Sequence, residues 1–91
     1  MLTITLPGTG DAAGIPVHGC DTPSCEEARR YPWLRRLQTC VLVQSKTTSI
    51  LLDIGNEMHV ESLHQLTLDA VFITHLHHDH YAGLQALKWS K

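Results

Sequence analysis

Leu2, Ile4 and Leu6 alternate with threonines at the start of the chain, a period-two pattern that predicts a strand over 2–6. "PGTGDAAGIP" follows with three glycines and two prolines in ten residues, which predicts a long irregular turn. In "SCEEARR", Ser24 stands three residues before Glu27, the spacing of a capping box, so a short helix is expected to about Arg30 and to stop before Pro32. "TCVLVQ" (39–44) and "SILLDI" (49–54) are rich in β-formers and joined by the polar "SKTT", which predicts an antiparallel hairpin. Asn56 can cap a helix through "EMHVESLHQL", where Met58, Leu63 and Leu66 form an imperfect apolar stripe. "DAVFIT" (69–74) has the pattern of a buried strand, and "YAGLQALKW" (81–89) looks helical despite Gly83. The alternation of strands and helices predicts a mixed α/β fold with no internal repeat, low-complexity tract or linker.

Length and composition narrow the function classes. Residues 1–91 make one small domain, able to bury about 60–65% of the surface its unfolded chain exposes. No apolar run approaches the ~20 residues of a membrane span. The N-terminus has no basic segment ahead of its apolar stretch and does not read as a signal peptide. A formal net charge of −2 argues against general electrostatic binding to nucleic acid or to an anionic membrane. Cys20, Cys25 and Cys40 are odd in number, so thiols or metal ligands are expected rather than a disulfide framework. The expectation is a cytoplasmic domain.

One stretch departs from this ordinary background. "THLHHDHYAGL", residues 74–84, holds four histidines and an aspartate. His75 and His77, two apart at the expected strand end, project the same way and can chelate one ion. Asp79 and His80 follow where the chain turns into a helix and can reach a second. Imidazole nitrogen with carboxylate oxygen suits Zn²⁺, Mn²⁺ or Fe²⁺. His78 lies between them and is expected to point outward. Chance clustering on a surface does not explain four histidines in six positions after a β-rich run, and a cloning tag would not continue into "DHYAGL".

His-x-His-x-Asp-His after a strand and before a helix resembles the signature of the metallo-β-lactamase superfamily. "ILLDIG" resembles that superfamily's first motif, a strand ending in Asp then Gly. The resemblance implies metal ligation by His75, His77, Asp79 and His80, with Asp53 accepting the other N–H of the ligating rings and orienting them. The fold it implies is the N-terminal half of an αβ/βα sandwich made of two similar halves. "GTGDAAGIPVHGCDTPSCEEARR" followed by "YPWLRRLQTC" resembles the PhnP type of phosphoribosyl cyclic phosphodiesterase from the carbon–phosphorus lyase pathway. That resemblance runs from "GTG" to "YAGL". Proteins of pyrroloquinoline quinone synthesis share part of this loop.

The PhnP resemblance implies a structural zinc held by three cysteines and a distant histidine. Cys20 and Cys25 match the first and third cysteine, but the middle position is Thr22, so the zinc is left open; His18 could substitute or face solvent. Cys40 reads as a small buried hydrophobe. Arg29, Arg30, Arg35 and Arg36 could bind a substrate phosphate, or could form a solvated face that offsets Glu26 and Glu27. "GTG" could cradle a phosphate through its N–H groups, a weak signal without the rest of a phosphate loop.

The implied activity is metal-dependent hydrolysis of a small-molecule cyclic ribose phosphate in phosphonate catabolism. Two divalent ions, Mn²⁺ or Zn²⁺, would share a bridging hydroxide, with Asp79 and Asp53 in the catalytic machinery. No nucleic acid or membrane partner is expected, and a homodimer is one expectation. His18, His59 and His64 sit too early to supply the remaining ligands of the superfamily site. The 91 residues alone are therefore expected to be an incomplete, inactive N-terminal part of the enzyme. Three alternatives stand beside this reading: an RNA-processing nuclease of the same fold, a pyrroloquinoline quinone synthesis protein, and a non-catalytic metal-binding or interaction fragment.

Overall fold

The computed structural model describes residues 1–88. Four strands, β1 (Thr3–Gly8), β2 (Cys40–Gln44), β3 (Ser49–Ile54) and β4 (Ala70–Phe72), form one sheet in the order β1-β2-β3-β4. β2 and β3 make the expected antiparallel hairpin, with Val43 opposite Ile50 and Leu42 opposite Leu51. Ser45 closes the turn by accepting hydrogen bonds from the N–H groups of Thr47 and Thr48. β1 pairs antiparallel with β2, and β4 pairs parallel with β3 after a crossover through α2 (Met58–Ser62). The mixed α/β fold class read from the sequence is the one observed.

Strand alternation decides which side chains are buried. Leu42 and Leu51 face one side, where with Cys40 and Ile54 they form the buried core. Val60, Leu63 and Leu66 from α2 and the turn after it pack against them, with Val71, Ile73 and Leu87. The other face carries Ile4, Val41, Val43, Ile50, Leu52 and Phe72. Nothing among the described residues covers its margins, since Ile4 and Phe72 are 65% and 56% exposed.

The helices differ from the sequence expectation in start and length. α1 spans Pro23–Arg30 with Thr22, not Ser24, in the N-cap position, and no capping side chain bonds its first turn. Pro23 explains the shift, because its fixed φ suits the first helical turn and moves the start two residues toward the N-terminus. α2 ends at Ser62 and gives way to turns; its N-cap position is Glu57 rather than Asn56, although Asn56 Oδ1 accepts the Met58 N–H at 2.9 Å. The apolar stripe continues through Leu63 and Leu66, so packing on the sheet is kept without regular helix. After the histidines, α3 (His78–Tyr81) passes into a 3₁₀ turn over Ala82–Leu87; Trp89 of the expected helix lies outside the described residues.

The three thiols occupy different environments. Cys40 is fully buried, and burial, reinforced by the negative charge of Asp53, pushes its pKa up to about 11. Cys20 is half-exposed, and hydrogen bonds from the Thr22 side chain, the Thr22 backbone and the Cys25 thiol lower its pKa. Iodoacetamide at pH 7.5 is therefore expected to label Cys20 first and Cys40 only after unfolding, as read by peptide mass spectrometry. Labelling of Cys40 as fast as Cys20 in native buffer would contradict this packing.

Candidate metal centre

Two adjacent parallel strands bring the chemistry to one end of the sheet. β3 ends in Asp53 and Ile54, and β4 ends beside it at Phe72, so the next residues of the chain arrive next to Asp53. Asp53 has φ +64°, the left-handed region that a residue with a Cβ adopts only when its surroundings hold it there. The surroundings do so. Its side chain is buried, with Oδ1 accepting the Thr74 N–H at 2.8 Å. Oδ2 accepts the Thr74 hydroxyl at 2.8 Å and His80 Nδ1 at 2.7 Å. Burial alone would push this carboxyl up, but the hydrogen bonds from His80 and Thr74 together outweigh it and hold it below the usual carboxylate range.

Around this anchor the cluster forms two pairs. His75 Nε2 lies 3.1 Å from His77 Nδ1, and Asp79 Oδ2 lies 3.4 Å from His80 Nε2. The pairs are neighbours, for the His75 and His80 rings are 3.9 Å apart between centroids. His75 sits in a bend beyond β4 and His77 at the N-cap of α3, neither on the strand itself, so strand alternation is not what aligns them. His78 turns away and meets Tyr81 edge-on at 5.6 Å. The site opens outward: His75 and His77 are exposed, while Asp79 and His80 are half-buried.

Two glycines let the histidine segment sit this close to the end of β3. A Cβ on Gly55 would collide with the Asp79 carbonyl and with Gln38. One on Gly83 would meet the Asn56 carbonyl and Ile54 at 2.7 Å. Gln38 ties the same corner together, accepting from Asn56 Nδ2 at 2.8 Å and donating to the Ala12 carbonyl at 3.2 Å. Its own carbonyl accepts Nε2 of the buried His59 at 2.8 Å. Thr74 and Gln38 were not singled out by sequence reasoning. The only available signal for Thr74 is its place directly before His75.

The donor set fits divalent metal in pairs. Two N or O donors held tetrahedrally at ~2.0–2.2 Å from one ion stand about 3.3–3.6 Å apart, close to both observed separations. Among the described residues no group of three or more His, Cys, Asp or Glu is placed to hold an ion, so each pair is short of a closed coordination shell. Cys20 and Cys25 also make only a pair. Cys20 Sγ is 3.3 Å from the Thr22 hydroxyl, and Cys25 Sγ accepts the Val17 N–H at 3.4 Å, so a structural zinc there gains no third donor from these contacts.

The basic residues and the glycine turn are engaged in holding the fold. Arg29 bonds Glu26 at 3.0 Å and the Val17 carbonyl at 2.6 Å, and Arg35 bonds the Ala28 carbonyl at 3.1 Å. Within "GTG", the N–H of Gly10 donates to the Leu37 carbonyl at 2.7 Å, which removes it from any phosphate cradle.

The depressed pKa of Asp53 has a defined sign for stability. Its folded value lies below its unfolded one, so between them the unfolded chain binds more protons. The stabilisation is complete above the unfolded value of about 3.9 and is lost as pH falls through the folded value. Asp53→Asn is expected to cost roughly 1–3 kcal/mol at pH 7 and to flatten the stability curve below about pH 4, measured by urea unfolding across pH. An unchanged acid limb would show that Asp53 is not the group responsible.

Comparison with known proteins places this geometry. The sequence profile of the family described as "Anti-Pycsar protein Apyc1" matches residues 32–91. An octanoyltransferase of Porphyromonas gingivalis is 33% identical over 86 residues, covering 91% of this chain and 17% of that protein. A diphosphatase of the PhnP family superposes with a TM-score of 0.81 at 32% identity over 96% of this chain and 34% of its own. Zinc-bound PqqB from Methylobacterium extorquens shares the fold, with a TM-score of 0.78 at 21% identity over 98% of this chain and 34% of that one. YhfI of Bacillus subtilis, a metallo-β-lactamase fold protein, gives a TM-score of 0.62 at 25% identity over 94% of this chain and 29% of its own. The chain spans about a third of the length of these solved relatives. No helix among the described residues is long and apolar enough to cross a membrane. The histidine segment seated beside Asp53, the sheet that carries it and these matches together identify the chain as a member of the Anti-Pycsar protein Apyc1 family, with a metallo-β-lactamase fold and a PhnP-like sequence.

Proposed function

We propose that these residues form the N-terminal part of a metal-dependent phosphodiesterase that opens a cyclic ribose phosphate. The observation that carries this reading is the pair of donor pairs, His75 with His77 at 3.1 Å and Asp79 with His80 at 3.4 Å, sharing one support in Asp53. His75 and His77 would hold one divalent ion, Mn²⁺ or Zn²⁺, and Asp79 and His80 a second. Bound there, such ions supply Lewis acidity toward phosphoryl oxygens and make water a nucleophile near neutral pH.

The chain's own groups do the positioning. Asp53 fixes the His80 ring by accepting its Nδ1 proton, which leaves Nε2 as the donor nitrogen. Asp79, beside His80 on the first turn of α3, contributes the anionic oxygen that the histidines lack. Gly55 and Gly83 let this turn lie against the end of β3, so donors and support belong to one rigid corner. Two donors per ion fall short of the usual four, so the remaining ligands would come from residues outside these 91. A phosphorus-centred substrate is supported by the 32% identity to a PhnP-family diphosphatase. The same relative favours a second reading, hydrolysis of a diphosphate. Cytoplasmic residence, a role in phosphonate catabolism and a homodimer belong to the first reading.

The test is hydrolysis by the full-length protein loaded with Mn²⁺ or Zn²⁺, followed by ³¹P NMR. A ribosyl cyclic phosphate and a nucleoside diphosphate serve as alternative substrates. The cyclic ester is expected to open to a monoester, and a chelator to abolish turnover. His77→Ala is expected to lose at least ~100-fold, and His78→Ala to stay within about threefold. Turnover of the diphosphate alone would select the second reading. Full activity in the His77 variant would reject the site.

A further inference from the structure

Three contacts meet at the Thr74 hydroxyl, and together they determine where two imidazole protons sit. Ionised Asp53 can only accept. Its Oδ2 lies 2.8 Å from Thr74 Oγ1 and 2.7 Å from His80 Nδ1, so both of those groups donate to it. A neutral His80 therefore carries its proton on Nδ1. Thr74 has a single hydroxyl proton and commits it to Asp53, which leaves its oxygen with lone pairs alone. That oxygen lies 3.0 Å from His75 Nδ1, whereas His80 Nδ1 is farther from it, at 3.5 Å. Two facing lone pairs at 3.0 Å repel, so His75 also carries its proton on Nδ1. His75 then presents a bare Nε2 to His77 Nδ1 at 3.1 Å, and the bare Nε2 of a neutral His80 faces the acceptor-only Asp79 Oδ2 at 3.4 Å, a pair of lone-pair groups that a cation between them would satisfy.

We infer that Thr74 is a positioning residue: its hydroxyl relays the Asp53 carboxylate to His75, so that one buried carboxylate prepares a donor nitrogen in each of the two pairs. His80 is held directly and His75 through the relay. The functional meaning rests on His75 and His80 being ligands, as proposed above. The tautomers themselves do not depend on metal or substrate. The relay also explains why the chain places a threonine, rather than an aliphatic β-former, at the last residue before the histidines. Its N–H and O–H satisfy both carboxylate oxygens, and its oxygen still has an acceptor site for the next side chain.

The experiment is long-range ¹H–¹⁵N correlation NMR on the metal-free, ¹⁵N-labelled full-length protein at about pH 8, above the usual histidine pKa of about 6.5. His75 and His80 are both expected in the Nδ1–H form. In Thr74→Val, which keeps the shape and removes the hydroxyl, His80 is expected to stay in that form and His75 to move to the Nε2–H form or a mixture. Thr74→Ser is expected to restore it. Zinc titration of the same proteins is expected to show a ~10–100-fold weaker first-pair site in the valine variant and recovery with serine. An Nε2–H form of His75 in the unsubstituted protein would overturn the relay, and that reading needs no variant to fold. So would a His75 signal unchanged by valine. Absent hydrolysis with the tautomers as stated would reject the proposed function and leave the relay standing.

Discussion

The buried carboxylate of Asp53 is the interaction on which the described end of the molecule depends. Three donors converge on it, two from Thr74 and one from His80, and each comes from the segment that follows β4. The sheet places β4 beside β3, and these bonds hold the histidine turn down onto the end of β3. A left-handed Asp costs on the order of 1–3 kcal/mol of backbone strain, and three hydrogen bonds to a buried charge can offset that. The strain is local and the benefit is geometric: in this conformation the carboxylate meets both Thr74 and His80.

The fold supplies what this anchor needs. One sheet face is packed by α2, the turn behind it and the 3₁₀ turn after α3, so the rear of the site is apolar and buried around Leu51 and Ile54. At the strand ends, Gly55 and Gly83 remove the two side chains that would prop the turn away. Gln38 and His59 brace the same corner from the far side. The histidines are thereby fixed at their base and open at their tips. That is the arrangement expected of ligands that meet further donors and a substrate.

The histidine spacing was legible because it is local: four donors within six residues announce themselves whatever the tertiary structure. The hairpin was legible for the same reason, since "SKTT" between two β-rich runs leaves few other outcomes. Asp53 could be read only together with the histidine motif, because an Asp before a Gly is otherwise a turn residue. Thr74 could not be read, because a threonine at the end of "DAVFIT" looks like any β-former and its role depends on a carboxylate twenty-one residues away. The glycine contacts are invisible for a similar reason: Gly83 reads as a weak spot in a helix until Asn56 and Ile54 are seen beside it. The arginines went the other way. Their clustering hints at phosphate, but Arg29 and Arg35 use their donors on nearby carbonyls and a glutamate.

The proposed metal centre, two donor pairs on one carboxylate support, fixes positions that diffraction can decide. Crystals of the full-length protein soaked in Zn²⁺ and measured across the zinc absorption edge would locate each ion by anomalous scattering. One peak is expected between His75 Nε2 and His77 Nδ1 and a second beside Asp79 and His80 Nε2, with neither at His78. Zinc bound at His78, or no anomalous peak within coordination distance of either pair, would contradict it.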